Sequence, residues 1–131
     1  MRRNKTTGFT LIELMITVAI LAIIIAIAVP VYYSQVEKTR RSDAITSLME
    51  TSQQLERCFT RTNSYENCLD PESFDSVRGF YGIRANTNPT TYTLTATAQG
   101  SQSGDSCSPF ELDHLGNRDA GSSTDRCWGS N

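Results

Sequence analysis

Apolar and polar positions alternate on three different periods along this chain. From Leu14 to Val29 only Thr17 is polar, and Pro30-Val31-Tyr32-Tyr33 carries the run to 20 residues. About 20 apolar residues in helix cross a bilayer core, and the tyrosine pair ends the run where interfacial aromatic residues sit. The run is longer than the apolar region of a secretory signal. It also lacks the small-residue cleavage site that would follow one. Beyond it, Ile45, Leu48, Met49, Leu55 and Phe59 recur at helical spacing with Ser52 on their face, while Glu50, Gln53, Gln54, Glu56 and Arg57 fall between them. That is an apolar stripe beside a wet face. The two patterns join into one predicted helix from about residue 9 to about residue 61. Pro30 is its expected kink, because proline withdraws one backbone donor.

The period then changes. Residues 62–79 are polar and turn-rich, and predict a loop. Phe80–Ala85 predicts a first strand. Thr91–Ala98 alternates cleanly, with Tyr92, Leu94, Ala96 and Ala98 inward. Asn86 to Pro89 makes the turn between them, and Gln99 to Ser106 a polar loop. Pro109–Asp113 predicts a third strand, Leu115 to Arg118 a turn, and Asp125–Trp128 a short last strand. The expected fold is α+β: a long N-terminal helix, membrane-spanning in its first half, packed against a small four-stranded antiparallel sheet.

Composition sharpens this picture. The chain is 38% apolar over 131 residues, but much of that share lies in residues 9–33, so the soluble part has a thin core for its size. A formal charge of −2 argues against a strongly basic, nucleic-acid-coated protein. One residue resists a plain anchor reading. Glu13 places a carboxylate at the start of the apolar run, where an ionisable group defaults to a functional role with a named partner.

Met1 to Gly8 is a short leader with three cations, Arg2, Arg3 and Lys5. It is followed by Gly8-Phe9-Thr10-Leu11-Ile12-Glu13-Leu14-Met15 and the apolar helix. This arrangement resembles the class III leader of type IV pilins. The resemblance implies cleavage after Gly8 by a prepilin peptidase, N-methylation of Phe9 and a filament-assembly role for Glu13, with Pro30 where such helices loosen. A glycine at the cut lets a protease approach the backbone. Cutting there keeps the membrane helix. It also places the new α-amino group about one helical turn from the carboxylate. In a filament a neighbour's amine would neutralise Glu13, since a buried charge without a partner is strongly disfavoured. The second half of the chain is similar to PilE-type minor pilins in Tyr92-x-Leu94-x-Ala96, Gly104-Asp105-x-Cys107, Phe110-x-Leu112-Asp113-x-x-Gly116 and Cys127-Trp128.

Four cysteines, Cys58, Cys68, Cys107 and Cys127, all lie beyond the apolar run, without a CxxC and with His114 as the one histidine. An even count in an exported region reads as two disulfides, in three permissible connectivities. The local pairing Cys58–Cys68 and Cys107–Cys127 is the most economical, and the resemblance favours it. It would supply the stability that a thin core lacks. It also puts this part in the periplasm or outside the cell. Arg2, Arg3 and Lys5 would hold the N-terminus in the cytoplasm.

No catalytic constellation is present: His114 has no nucleophile partner, so an enzyme is not expected, nor a cofactor. Asp105, Asp113, Asp119 and Asp125 lack the spacing of a compact calcium loop. The charge cluster Glu37-Lys38-Thr39-Arg40-Arg41-Ser42-Asp43 reads as a solvated juxtamembrane face, with ion pairing between subunits or lipid headgroup contact as the sharper alternative. Arg78, Arg84, Arg118 and Arg126 are the candidate nucleic-acid contacts: clustering on one face would raise that reading, and dispersal would sink it.

The expected organisation is therefore a cleaved leader (1–8), a transmembrane or filament-core half-helix (9–33), an amphipathic half-helix (34–61) and a disulfide-bounded sheet region (62–131). The expected function is a structural subunit, a minor pilin, serving pilus assembly, adhesion, twitching motility or DNA uptake. The alternatives are a DNA-binding minor pilin acting as an uptake receptor and a type II secretion pseudopilin. Expected partners are other pilins, the prepilin peptidase/N-methyltransferase, the inner-membrane assembly machinery and the inner membrane itself, with DNA as a further candidate. The expected location is the inner membrane, single-pass with the C-terminus periplasmic, and then the extracellular pilus.

Overall fold

Thr10-Leu11-Ile12-Glu13 has the spacing of a helix-capping box, and the first helix starts on it. The structure, a computed structural model, describes residues 8–129. The leader cations Arg2, Arg3 and Lys5 lie outside the described residues. The helix α1 runs Leu11–Thr62. The Glu13 N–H donates to Thr10 Oγ1 at 3.3 Å, and the Glu13 carboxylate lies in the first turn, where the helix dipole favours negative charge. At the far end Asn63 takes a left-handed φ of 53° and donates its N–H to the Phe59 carbonyl at 2.8 Å, a common way to end a helix. Helical structure continues through Pro30.

Two compact units divide between Val36 and Glu37. In the first, the apolar side chains are exposed: Leu14, Ile16, Ile20, Ile23 and Ile27 are all more than half accessible. A window of this helix has mean hydropathy 3.0 and no buried residue, which suits an apolar surrounding.

Among the described residues the second unit holds five strands, one more than the pattern predicts. They are β1 (Ser73–Asp75), β2 (Tyr81–Thr87), β3 (Tyr92–Ala98), β4 (Phe110–Asp113) and β5 (Arg118–Ala120). All pair antiparallel in the order β1-β2-β3-β4-β5. The extra strand is β1, inside the stretch read as a loop. Its three residues carry a single apolar side chain, Phe74, too little for a period to register. The last strand also differs. Asp125–Trp128 is not extended: Thr124–Cys127 forms the short helix α2. The final strand is Arg118–Ala120, beginning where a turn was expected. The apolar pair Cys127-Trp128 resembles a strand end, but here it is the buried side of one helical turn.

The core lies between α1 and the inner face of the sheet. Tyr81, Ile83 and Ala85 of β2, Tyr92, Leu94 and Ala96 of β3, and Phe110 and Leu112 of β4 are buried, the alternation of a one-sided sheet. Phe110 meets Tyr81 and Trp128 edge-on, each with ring centroids 5.8 Å apart. On α1 the buried residues are Asp43, Ala44, Ser47, Leu48, Thr51 and Leu55. The buried face is thus displaced from the predicted stripe toward small side chains, with Ile45, Met49 and Phe59 half-buried at its margin. Small residues there make room for the sheet's large ones. Disulfides join Cys58 to Cys68 and Cys107 to Cys127. After β5, the Gly121 N–H donates to the Cys107 carbonyl at 3.0 Å, and a Cβ at this position would collide with the Ser108 carbonyl oxygen.

Candidate functional site

Two places carry the residues singled out in the sequence: the start of α1 and the outer surface of the second unit. At the first, Gly8 has open space around it and Phe9 is 79% exposed. The Gly8–Phe9 bond thus stands clear of packed structure. Glu13 follows in the first turn of the helix. Thr10 is the cap residue here. Its signal is the Thr-x-x-Glu spacing, which the apolar run obscures.

The charge cluster after the apolar run is not simply a solvated face; much of it is engaged within the unit. The Asp105 carboxylate is fully buried beside Arg41. It accepts from Arg41 Nε at 2.9 Å, from the Tyr81 hydroxyl at 2.6 Å and from the Cys107 N–H at 3.0 Å. Arg41 also reaches Glu37 at 2.6 Å. Burial by itself would raise the Asp105 carboxyl, but the hydrogen bonds from Arg41, Tyr81 and the Cys107 N–H outweigh it and hold the group below its ordinary value. Burial lowers Arg41, and its contacts with Asp105 and Glu37 more than restore it. Tyr81 is pushed up, by burial first and then by the carboxylate it serves. Asp43 accepts from Ser76 Oγ at 2.5 Å and from the Arg78 N–H at 3.1 Å. The guanidinium of Arg40 lies 4.8 Å from the Phe80 ring centre. These contacts bind the Gln99–Cys107 loop and the β1–β2 turn to α1.

The four candidate arginines are all exposed, but they are not brought to one face. Arg84 sits in the outward row Ser73–Arg84–Thr95–Glu111–Asp119 across the sheet. Arg118 pairs with Leu112 of the opposite row, its guanidinium 5.2 Å from the Trp128 ring centre. Arg78 is in the β1–β2 turn. Arg126 is on α2, at a groove shared with Lys38 of α1. His114 is half-buried at the end of β4. It donates its N–H to the Tyr92 carbonyl at 3.2 Å, and its ring is 6.3 Å from that of Tyr92. Of the four aspartates weighed for calcium, Asp105 is taken up by Arg41 and Tyr81. Asp113 turns its carboxylate onto Asn117 and the Leu115 N–H. Among the described residues no group of three or more His, Cys, Asp or Glu is placed to hold a metal.

The family model described as the type IV minor pilin ComP, DNA uptake sequence receptor, matches residues 30–111. The prokaryotic N-terminal methylation motif matches residues 3–29. A fimbrial protein of Moraxella nonliquefaciens is 36% identical over 85 residues, covering 60% of this chain and 53% of that protein. The type IV major fimbrial protein FimA of Dichelobacter nodosus is 31% identical over 89 residues, covering 68% and 56%. The chain thus spans about half the length of these two curated relatives. A solved type IV pilin from Shewanella oneidensis superposes with a TM-score of 0.51 at 27% identity, covering 63% of this chain and 89% of that one.

Proposed function

The chain belongs to the type IV minor pilin family, and from that premise we propose that it works as a processed, membrane-held subunit of a pilus. Its role is structural. The observation that carries this reading is the start of α1: an unpacked Gly8–Phe9 bond, a capped helix and Glu13 in its first turn, ahead of an exposed apolar helix. In this proposal the leader is cut after Gly8 and Phe9 becomes the methylated N-terminus. Residues 9–33 lie in the inner membrane and then in the filament core. Residues 34–61 carry the folded region 62–131, held on the periplasmic side and later outside the cell. Glu13 sets register by meeting a neighbouring subunit's terminal amine. Other pilins, the prepilin peptidase/N-methyltransferase and the assembly machinery are the partners this requires.

The experiment is quantitative mass spectrometry of sheared, purified pili, including the N-terminal peptide. Trace amounts relative to the dominant pilin, starting at methylated Phe9, are expected of a minor subunit. Dominant abundance makes it the major pilin. Absence from pili, with the processed form retained in the membrane, turns the reading toward a pseudopilin.

A second reading, that the chain receives DNA for uptake, is favoured by the description of the matching family. Exposed Arg78, Arg84, Arg118 and Arg126 are its candidate contacts. Their dispersal over different faces counts against this reading, which needs a basic stripe, and leaves it resting on the family description. Binding of a labelled duplex across a salt series tests it: an Arg84→Gln variant should lower the salt slope by about one.

A further inference from the structure

The fold brings Lys38 of α1 and Arg126 of α2 to one groove of about 290 Å³, lined also by Arg41, Ser42, Ile45 and Cys127. Arg41 is engaged by two carboxylates, Asp105 and Glu37, which outweigh its single charge. Ser42 gives its hydroxyl hydrogen to the Thr39 carbonyl. The other cations that line the groove are Lys38 and Arg126, above an apolar lining of Ile45 and Cys127. No acidic side chain is among the described residues that line it. The backbone beside Arg126 is tethered, because the next residue, Cys127, is held to Cys107. Two cations facing one concave space are suited to an anion with several acceptor oxygens, above all a phosphate. The position in the sequence indicates where such a phosphate comes from. Lys38 follows the Tyr32-Tyr33 pair by only five residues, at most about 18 Å of chain. Such aromatic pairs mark the membrane interface, and a basic side chain close beyond it lies within reach of the headgroups.

We propose that this groove holds the phosphate of an anionic phospholipid headgroup while the chain is in the membrane. The inference rests on the reading of residues 9–33 as a membrane span. It assigns a ligand to the folded unit rather than to the span. Lys38 and Arg126 clamp the lipid phosphate, and Ile45 and Cys127 contact the glycerol backbone.

The test uses the full chain in nanodiscs of equal phosphatidylglycerol and phosphatidylcholine, with the lipids retained on release counted by native mass spectrometry. Phosphatidylglycerol is expected to be retained in preference. The exposed-surface variants Lys38→Gln and Arg126→Gln should each lower that preference about fivefold, and the double variant roughly 25-fold. Arg84→Gln, on the outward face of the sheet, should leave it unchanged. Equal retention of both lipids by the native chain overturns the proposal, as does a preference that the double variant keeps. Millimolar inorganic phosphate separates the sources: continued retention of the lipid supports a headgroup site, and its replacement by phosphate overturns it. Displacement of the lipid by a short DNA duplex through the same two residues also overturns it, in favour of nucleic acid. Failure to enter the discs at all overturns the membrane reading and this proposal with it, whereas entry without lipid preference overturns the proposal alone.

Discussion

Asp105 ties the loop before Cys107 to α1, through Arg41 on one side and Tyr81 on the other. Asp105→Asn keeps the shape and removes the charge, leaving a half-buried guanidinium with a weakened set of acceptors. Breaking a buried pair from one side costs about 3–5 kcal/mol, and Arg41 retains Glu37, so the lower end is expected in a thermal melt of the detergent-solubilised chain. The pH response has a definite sign. The folded-state pKa of Asp105 is depressed, so the unfolded chain binds more protons near that pKa. The stabilisation is complete above the ordinary carboxylate value, about pH 4, and is lost as pH falls through the depressed one. An acid titration of the melting temperature should show this fall in the native chain and a flatter profile in the Asn variant. A third change should act in the opposite direction. Ser47 Oγ is buried and has no hydrogen-bond partner among the described residues. An unpaired buried hydroxyl costs about 1–3 kcal/mol, so Ser47→Ala should raise the melting temperature.

At the scale of elements, the two disulfides close segments separated by 10 and 20 residues. In the chain-entropy model each contributes about 3 kcal/mol, slightly more for the longer loop. A Cys107→Ser/Cys127→Ser chain should therefore melt below a Cys58→Ser/Cys68→Ser chain, by differential scanning calorimetry in the same detergent. What could be read beforehand follows the strength of each element's periodic signal. β3 was plain because Tyr92, Leu94 and Ala96 alternate with three threonines over seven residues. β1 and β5 have three residues each; they are strands because a neighbour pairs with them, and no pattern within three residues can announce that. The buried face of the helix is displaced by about one position from its apolar stripe. The sequence ranks Ile45 and Met49 above Ala44, Ser47 and Thr51 by apolarity, while the packed sheet selects by size. The roles proposed for Gly8, Phe9 and Glu13 rest on consecutive spacing, which needs no fold to be seen. The ties of Asp105 and Asp43 were invisible because their partners, Arg41 and Ser76, lie 64 and 33 residues away.

For the whole molecule, the proposed assembly role makes Glu13 and Gly8 separable. Glu13→Ala should yield a chain that is processed and membrane-held yet missing from sheared pili, as read by immunoblot of membrane and pilus fractions. Normal incorporation would defeat the register role. Gly8→Phe should retain the leader, seen as a heavier N-terminal peptide, and recovery of a terminus at Phe9 would defeat the cleavage assignment. The sheet bears on the same question from its margins. Both outermost strands are only three residues long, and each carries an aspartate. On β5 the Asp119 carbonyl is already occupied by the Trp128 indole N–H at 2.8 Å. Margins this short and acidic give an incoming strand almost no backbone to pair with. A second copy brought alongside the sheet therefore finds little backbone along which to extend a continuous β-structure.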